Sequence, residues 1–257
     1  MRPANTVFAI AVLAAAGVAA LPAAASANLV QNGDFSSLTG PTNQFIGYPG
    51  YTQINDWSYG NAPNPNAAVY DYAGADSFPG APQGPYGNYP LYGPGTGYNN
   101  GFVAPPGGSN FLASDGEAAY SAPISQTVSG LIPGQTYLLS FTWAGNQFLD
   151  SSSESYNGDI SAAWQVSLGT ETFTTPSVTF AAHGFTGWMT QTFLYTASST
   201  SETLSFLAEG TPNGLPPVAL LDGVSLIPEP ANWSVILLGI AGVGAVTYRR
   251  RRAAGVA

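Results

Sequence analysis

The chain has 257 residues, with 14 carboxylates, 5 basic side chains, one histidine, no cysteine and a formal net charge of −9. All five basic residues are arginines at the two ends, Arg2 and then Arg249, Arg250, Arg251 and Arg252, so the stretch from Asn28 to Tyr248 holds all 14 carboxylates and no cation. That excludes nucleic acid and anionic polymers as partners, internal salt bridges and disulfides, and it makes a divalent cation such as calcium a reasonable counter-ion.

The N-terminus reads as an export signal. Met1-Arg2 is a short positive segment, Val7 to Leu21 is apolar and uncharged, and Ala25-Ser26-Ala27 offers a cleavage site that leaves Asn28 as the mature start. Asn28 to Phe35 and Ile54 to Tyr59 then suggest strands. From about Gly60 to Gly108 the chain is rich in Gly, Pro, Asn and Tyr, and nine of the 14 tyrosines fall between Tyr48 and Tyr98. So many aromatics would be wet in a disordered linker. The segment is therefore expected to be an insertion lying on the domain, with Ala67 to Tyr72 as a short strand.

The second half has period-two apolar patterns split by turn residues, which predict half-buried antiparallel strands. They run over Gln135–Trp143, Ala162–Leu168, Met189–Tyr195, Glu202–Ala208 and Pro217–Leu226. No useful helical period occurs between Asn28 and Ile227. The tail differs: Ile227-Pro228-Glu229-Pro230 precedes an uncharged apolar run from Ala231 to Tyr248, then the basic block Arg249-Arg250-Arg251-Arg252. At ~1.5 Å per residue that run covers roughly 27 Å as a helix, a short span of a ~30 Å hydrocarbon core. The arginines place its C-terminus in the cytoplasm, with the preceding residues outside.

Two resemblances follow from these residues. Pro228-Glu229-Pro230, the apolar run and the cluster of Arg249, Arg250, Arg251 and Arg252 resemble the PEP-CTERM sorting signal of Gram-negative bacteria, a tail also called the ice-binding protein C-terminal domain. The resemblance implies processing by an exosortase near Pro228, Glu229 and Pro230 in bacteria that make extracellular polysaccharide and biofilm. Asn32-Gly33-Asp34-Phe35, the segment Ile124 to Tyr137, and Leu221-Asp222-Gly223-Val224-Ser225-Leu226 are similar to galactose-binding-like jelly rolls. That resemblance implies a fold more than a ligand. It also implies a structural calcium between the first and last strands, with Asp34 and Asp222 as metal candidates, although Ser36 stands where relatives carry an acid.

Asp222 shares parity with Val218, Leu220, Val224 and Leu226, so it points with apolar side chains unless Gly223 makes a bulge. It binds metal, hydrogen-bonds turn backbone or is exposed at the bulge. Trp57, Tyr59, Tyr86, Tyr89, Tyr92 and Tyr98 form either an exposed platform for a neutral glycan or the packing that seats the insertion. Trp143 and Trp164 read as core. Catalysis has little support: His183 is alone in a turn-like Ala-Ala-His-Gly segment, and Asp115 and Glu117, two apart, read as a solvated turn. An ice-binding face needs a flat threonine array, and Thr170–Thr179 is too short for one.

The expectation is an all-β, antiparallel jelly-roll β-sandwich over 28–226, with a signal helix over 1–27 and one transmembrane helix in the sorting signal at 227–252. The expected role is an exported, membrane-tethered, exosortase-sorted surface or matrix protein that binds neutral polysaccharide without catalysis. A structural or adhesive matrix component lacking a sugar site is the alternative, and a glycoside hydrolase the third reading.

Overall fold

The computed structural model describes residues 27–229 apart from 41–43, 47, 49–50, 61–65, 78–79, 85–86, 109 and 150–156. Most of the sorting signal expected from the sequence therefore falls outside the described residues: Pro230, the apolar run, and Arg249, Arg250, Arg251 and Arg252. The signal segment before residue 27 and Tyr86 fall outside them too. Among the described residues no helix is long and apolar enough to cross a membrane.

The described chain is all-β. In order the strands are β1 (Leu38–Thr39), β2 (Gln44–Phe45), β3 (Gln53–Ile54), β4 (Ser58–Tyr59), β5 (Ala67–Asp71), β6 (Gln83–Gly84), β7 (Gly87–Asn88) and β8 (Asn110–Asp115). Then come β9 (Ile124–Ser129), β10 (Thr136–Gln147), β11 (Asp159–Leu168), β12 (Glu171–Thr174), β13 (Val178–Ala181), β14 (Met189–Thr196), β15 (Ser201–Thr211) and β16 (Pro217–Pro228). Two sheets form a sandwich. The larger runs β14-β10-β16-β8-β5-β2-β6-β7, and the smaller runs β12-β11-β15-β9-β4, with β13 also on β11. Pairing is antiparallel except between β2 and β6.

The alternating strands of the second half appear where the pattern predicts them. The opening segment does not form the strand expected over Asn28–Phe35. Asn32 and Phe35 take left-handed backbone, and Gly33 lies so close to the Val224 carbonyl that a Cβ would collide with it. Two backbone hydrogen bonds, Leu29 N–H to Leu226 O and Val224 N–H to Gly33 O, both at 2.9 Å, tie it beside β16. The strand expected over Ile54–Tyr59 is split in two, because Asp56 adopts φ +69° between β3 and β4.

The larger sheet is apolar on both faces. β5 is fully buried from Ala67 to Tyr70, and its side chains divide between two cores. Ala67 and Val69 join Leu112, Phe141, Trp143, Trp164, Val166 and Phe206 between the sheets. Ala68 and Tyr70 join Phe45, Leu91, Phe102, Phe111, Phe148, Val218 and Leu220 on the outer side. β5 is therefore a central strand of the sheet, and the described residues between 72 and 108 form the layer that covers it. β10 records the boundary, alternating from Thr136 to Thr142 and then buried without a break from Trp143 to Gln147. Continuous burial is what a strand covered on both faces requires.

Polar pins hold the layer down. Tyr70 Oη donates to Tyr89 O at 2.6 Å and Asn146 Nδ2 to Tyr92 O at 3.2 Å. Asp76 Oδ2 accepts from Gly95 N–H at 2.7 Å, an approach with no room for a side chain at residue 93 or 95. Phe111 is the pivot, stacked on Tyr70 at 5.6 Å and meeting Phe102 and Trp188 edge-on. We predict that Phe111→Ala costs about 3–5 kcal/mol in urea unfolding of the purified chain. A loss under about 1 kcal/mol would show that the outer layer contributes no cooperative packing.

Candidate functional site

The sequence-predicted aromatic platform is mostly an aromatic core. Trp57 is 8 % exposed, donates its indole N–H to Asn32 O at 3.1 Å and packs on Phe35 and Phe206. Tyr92 is fully buried. Tyr89 is half-buried against Phe45 and Phe148. Tyr59 is half-buried beside the inter-sheet core, and burial, with the nearby Asp115 charge adding, drives its hydroxyl well above the usual tyrosine range. Tyr98 keeps a partly open ring, edge-on to Tyr92 at 4.6 Å and beside His183 at 4.7 Å. The layer has to fill the outer face of the sheet, and these rings are what it has to fill it with.

Partly open aromatic surface also lies where sequence reasoning named no candidate. Phe185 and Trp188, in the loop between β13 and β14, are half-buried against the outer core and 6.3 Å apart. Trp188 Nε1–H donates to the carbonyl of Val103, itself 53 % exposed. No period marks these residues, because their loop meets the insertion only through the fold.

A second opening sits at the free edge of the smaller sheet. Gln31, Asp56, Trp57, Ser58, Gln126 and Thr127 line a shallow depression of about 440 Å3. Gln126 builds it: its Oε1 accepts from Gln31 N–H at 2.8 Å, and its Nε2 donates to Gln31 O and Asp56 O, both at 2.9 Å. With that amide fully used, the exposed side chains of Gln31, Asp56, Ser58 and Thr127 remain to face a ligand. Asp56 is exposed and takes left-handed backbone where it lines the depression.

The third feature is Asp222. The register of β10 against β16 shifts by one residue at Gly223, where φ is +62°. The bulge separates Asp222 from Val224 and Leu226, which face the inter-sheet core, and leaves it with Val218 and Leu220 on the outer face. It sits at the margin of the covering layer, and Gly107 passes so close that a Cβ there would lie 3.1 Å from Oδ2. Asp222 is 1 % exposed, and neither carboxylate oxygen has a hydrogen-bond partner. Burial raises it to about 6; the nearby Gly223 amide, whose geometry falls short of a hydrogen bond, opposes the shift, and the charge of Asp34 adds to it. Asp34 is exposed, and its Oδ1 accepts from the Ser36 amide and hydroxyl. Among the described residues no three His, Cys, Asp or Glu side chains converge as a ligand cage.

Asp115 and Glu117 do not form the solvated turn expected of them. Both are buried, at 1 % and 5 % exposure. Asp115 Oδ1 accepts from Glu117 N–H and Glu117 Oε1 from Gly214 N–H, both at 2.9 Å, tying β8 to the loop before β16. Burial pushes Asp115 up to about 7 and Glu117 upward as well, with no cation nearby to reverse it. His183 is enclosed by the Tyr92 and Tyr98 rings.

Folded-state values raised above the unfolded ones mean that the protonated carboxyls favour folding. That stability is full below about pH 4 and is lost as pH rises through about 6 to 7. We predict that in chelator the melting temperature falls from pH 5 to pH 8, with roughly 2–3 kcal/mol lost through Asp115. Asp115→Asn should flatten the profile, and an unchanged slope would contradict this account of the acid pair.

No protein-family model and no curated protein matches the chain, so the reading of its tail, from Pro228 to Arg252, rests on sequence alone. Solved structures show distant likeness. TmCBM61 in complex with beta-1,4-galactotriose has a TM-score of 0.42 and 15 % identity, over 79 % of this chain and 100 % of that one. A C-terminal family 22 carbohydrate binding module of Clostridium thermocellum Xyn10B has 0.32 and 12 %, over 77 % and 97 %. The enzymatically active domain of bacteriophage CBA120 tailspike protein 4 has 0.35 and 13 %, over 79 % of this chain but only 21 % of that one. Likenesses at these scores assign no ligand to this chain.

Proposed function

We propose that residues 28–226 form a jelly-roll domain that binds neutral polysaccharide outside the cytoplasmic membrane and catalyses nothing. The depression at Gln31, Asp56, Ser58 and Thr127 carries this reading. It offers one carboxylate, one amide and two hydroxyls beside the buried Trp57, a set suited to the hydroxyl groups of an uncharged sugar. The mature chain before the arginine cluster has no cation to attract an anionic polymer. In the same reading, residues 1–27 direct export. The segment 227–252 is the PEP-CTERM signal, taken by an exosortase-type enzyme after the apolar run has held the chain in the membrane, with Arg249, Arg250, Arg251 and Arg252 on the cytoplasmic side. Pro228 and Glu229 leave the domain on the last rung of β16, where Glu229 N–H still bonds Thr136 O at 3.0 Å.

Calcium at Asp222 and Asp34 belongs to the same proposal. Two buried oxygens without hydrogen-bond partners on Asp222, within electrostatic reach of Asp34 in a domain without basic side chains, fit a hard cation. Backbone carbonyls and waters would complete its shell. The ion would join the Asn32–Ser36 loop to β16, a structural role. We predict that millimolar calcium raises the melting temperature, more at pH 8 than at pH 5, because protons compete for the same carboxylates. Asp222→Asn should abolish the shift. No calcium effect in the wild-type chain at either pH would remove the metal from the account.

The binding reading is tested by native electrophoresis of the full chain in detergent, through gels containing β-1,4-galactan, β-1,3-glucan, mannan, dextran or polygalacturonate. Retardation by a neutral polysaccharide, unaltered by salt and absent with polygalacturonate, is expected. Asp56→Gly, which keeps the left-handed backbone, should weaken it about tenfold. Free migration in every gel would leave a structural matrix role in its place.

A further inference from the structure

The depression is at the free edge of the smaller sheet, whereas the partly open rings of Tyr98, Phe185 and Trp188 are on the outer side of the larger one. We propose that this aromatic face is a second neutral-glycan site, so that a single chain engages two polysaccharide strands, one on each side of the sandwich, and cross-links them. The inference rests on the neutral-polysaccharide reading above and extends it from binding to cross-linking.

Three observations carry it. First, the face is built from two segments without charge: no Asp, Glu, Lys or Arg occurs from 77 to 114 or from 172 to 201. Asp76, which abuts Gly93 and Gly95, is engaged by the Gly95 amide, so a partner recognised by charge pairing finds little there. Second, the rings are held rigidly and are mostly, but not fully, covered. Phe185 meets Phe102 edge-on at 5.2 Å, Trp188 meets Phe111 edge-on at 5.7 Å, and the Trp188 N–H is fixed on Val103 O at 2.9 Å. The buried sides anchor the rings, and the open sides offer apolar planes at little entropic cost. Third, the loops beneath are locked. Thr186 Oγ1 accepts from Gly145 N–H at 2.8 Å, and Asn100 Nδ2 donates to both Tyr92 O and His183 O, joining the insertion to the residues just before Phe185. Exposed Asn99 beside Tyr98 and the Tyr98 hydroxyl supply polar groups at the rim.

Planar apolar surface rimmed by an amide and a hydroxyl, with little charge, fits the faces of uncharged pyranose rings. The two sites are on different sheets and share no residue, so one strand bound at each does not displace the other.

The test uses the full chain in detergent, checked as monomeric by light scattering, with whichever of the four neutral polysaccharides retards it and a short oligosaccharide cut from that polymer. Isothermal titration with the oligosaccharide is expected to give two sites per chain. Mixing with the long polymer should produce turbidity that excess oligosaccharide clears. Val103→Asp, an exposed change with small risk to folding, and Trp188→Ala should each leave one site and no turbidity. Asp56→Gly should likewise leave one site and no turbidity, through the other face. One site in the wild-type chain, or two sites that survive both Val103→Asp and Trp188→Ala, would overturn the second site while the binding reading stands. If no polysaccharide binds at all, both fall.

Discussion

The larger sheet buries both of its faces, and most of the molecule follows from that. A two-sheet sandwich usually covers one face of each sheet and leaves the other to water. Here Ala68, Tyr70, Phe111, Ala113, Val218 and Leu220 are as buried on the outer face as Val69, Leu112 and Leu221 are on the inner one. An apolar outer face needs a cover, and the described residues between 72 and 108 with the 183–188 loop supply it. The tyrosines and phenylalanines of that cover are used to fill it, which leaves only its rim for a ligand.

The absence of cations is the second constraint. A buried carboxylate in this domain has backbone amides, side-chain amides and hydroxyls, protons or metal ions to answer it. Glu202 shows the first solution, with Oε1 accepting from the amides of Ser198 and Ser199 and the Ser198 hydroxyl. Asp115 and Glu117 share amides but remain raised. Asp222 has no hydrogen bond to either oxygen. These three cases place the domain's electrostatic cost at the end of β8 and at the bulge of β16. The same shortage of charge leaves both proposed glycan faces suited to uncharged ligands.

The sequence made the half-buried strands legible and the fully buried ones obscure. Met189 to Tyr195 alternates because β14 is an edge strand with one open face. Ala67 to Tyr70 and Phe111 to Ala113 do not alternate, since both faces are covered, and a run without period cannot be assigned to a face. The same ambiguity hid the status of the aromatics: exposed platform and packed layer have one composition, and the choice depends on the far side of a sheet that the tyrosine-rich segment does not itself contain. Asp222 turned on a single backbone angle at Gly223. Asp115 and Glu117 looked like a turn because spacing carries no information about the loop before β16 that closes over them. Phe185 and Trp188 lacked any local signal, as their surface exists only where two distant loops meet.

Everything on the outer side of the larger sheet depends on the insertion being a packed layer of the fold. Native-state hydrogen exchange on the full chain measures this directly. Leu91 N–H bonds Ala75 O at 2.8 Å, Tyr92 N–H bonds Gln147 O at 3.1 Å and Tyr98 N–H bonds Gly93 O at 3.0 Å. These amides are expected to be protected to a degree comparable with those of β5 and β8, opening only with the larger sheet. Exchange near unprotected rates, with β5 and β8 still protected, would mean that the outer face is not covered by these residues. The aromatic face would then have no scaffold.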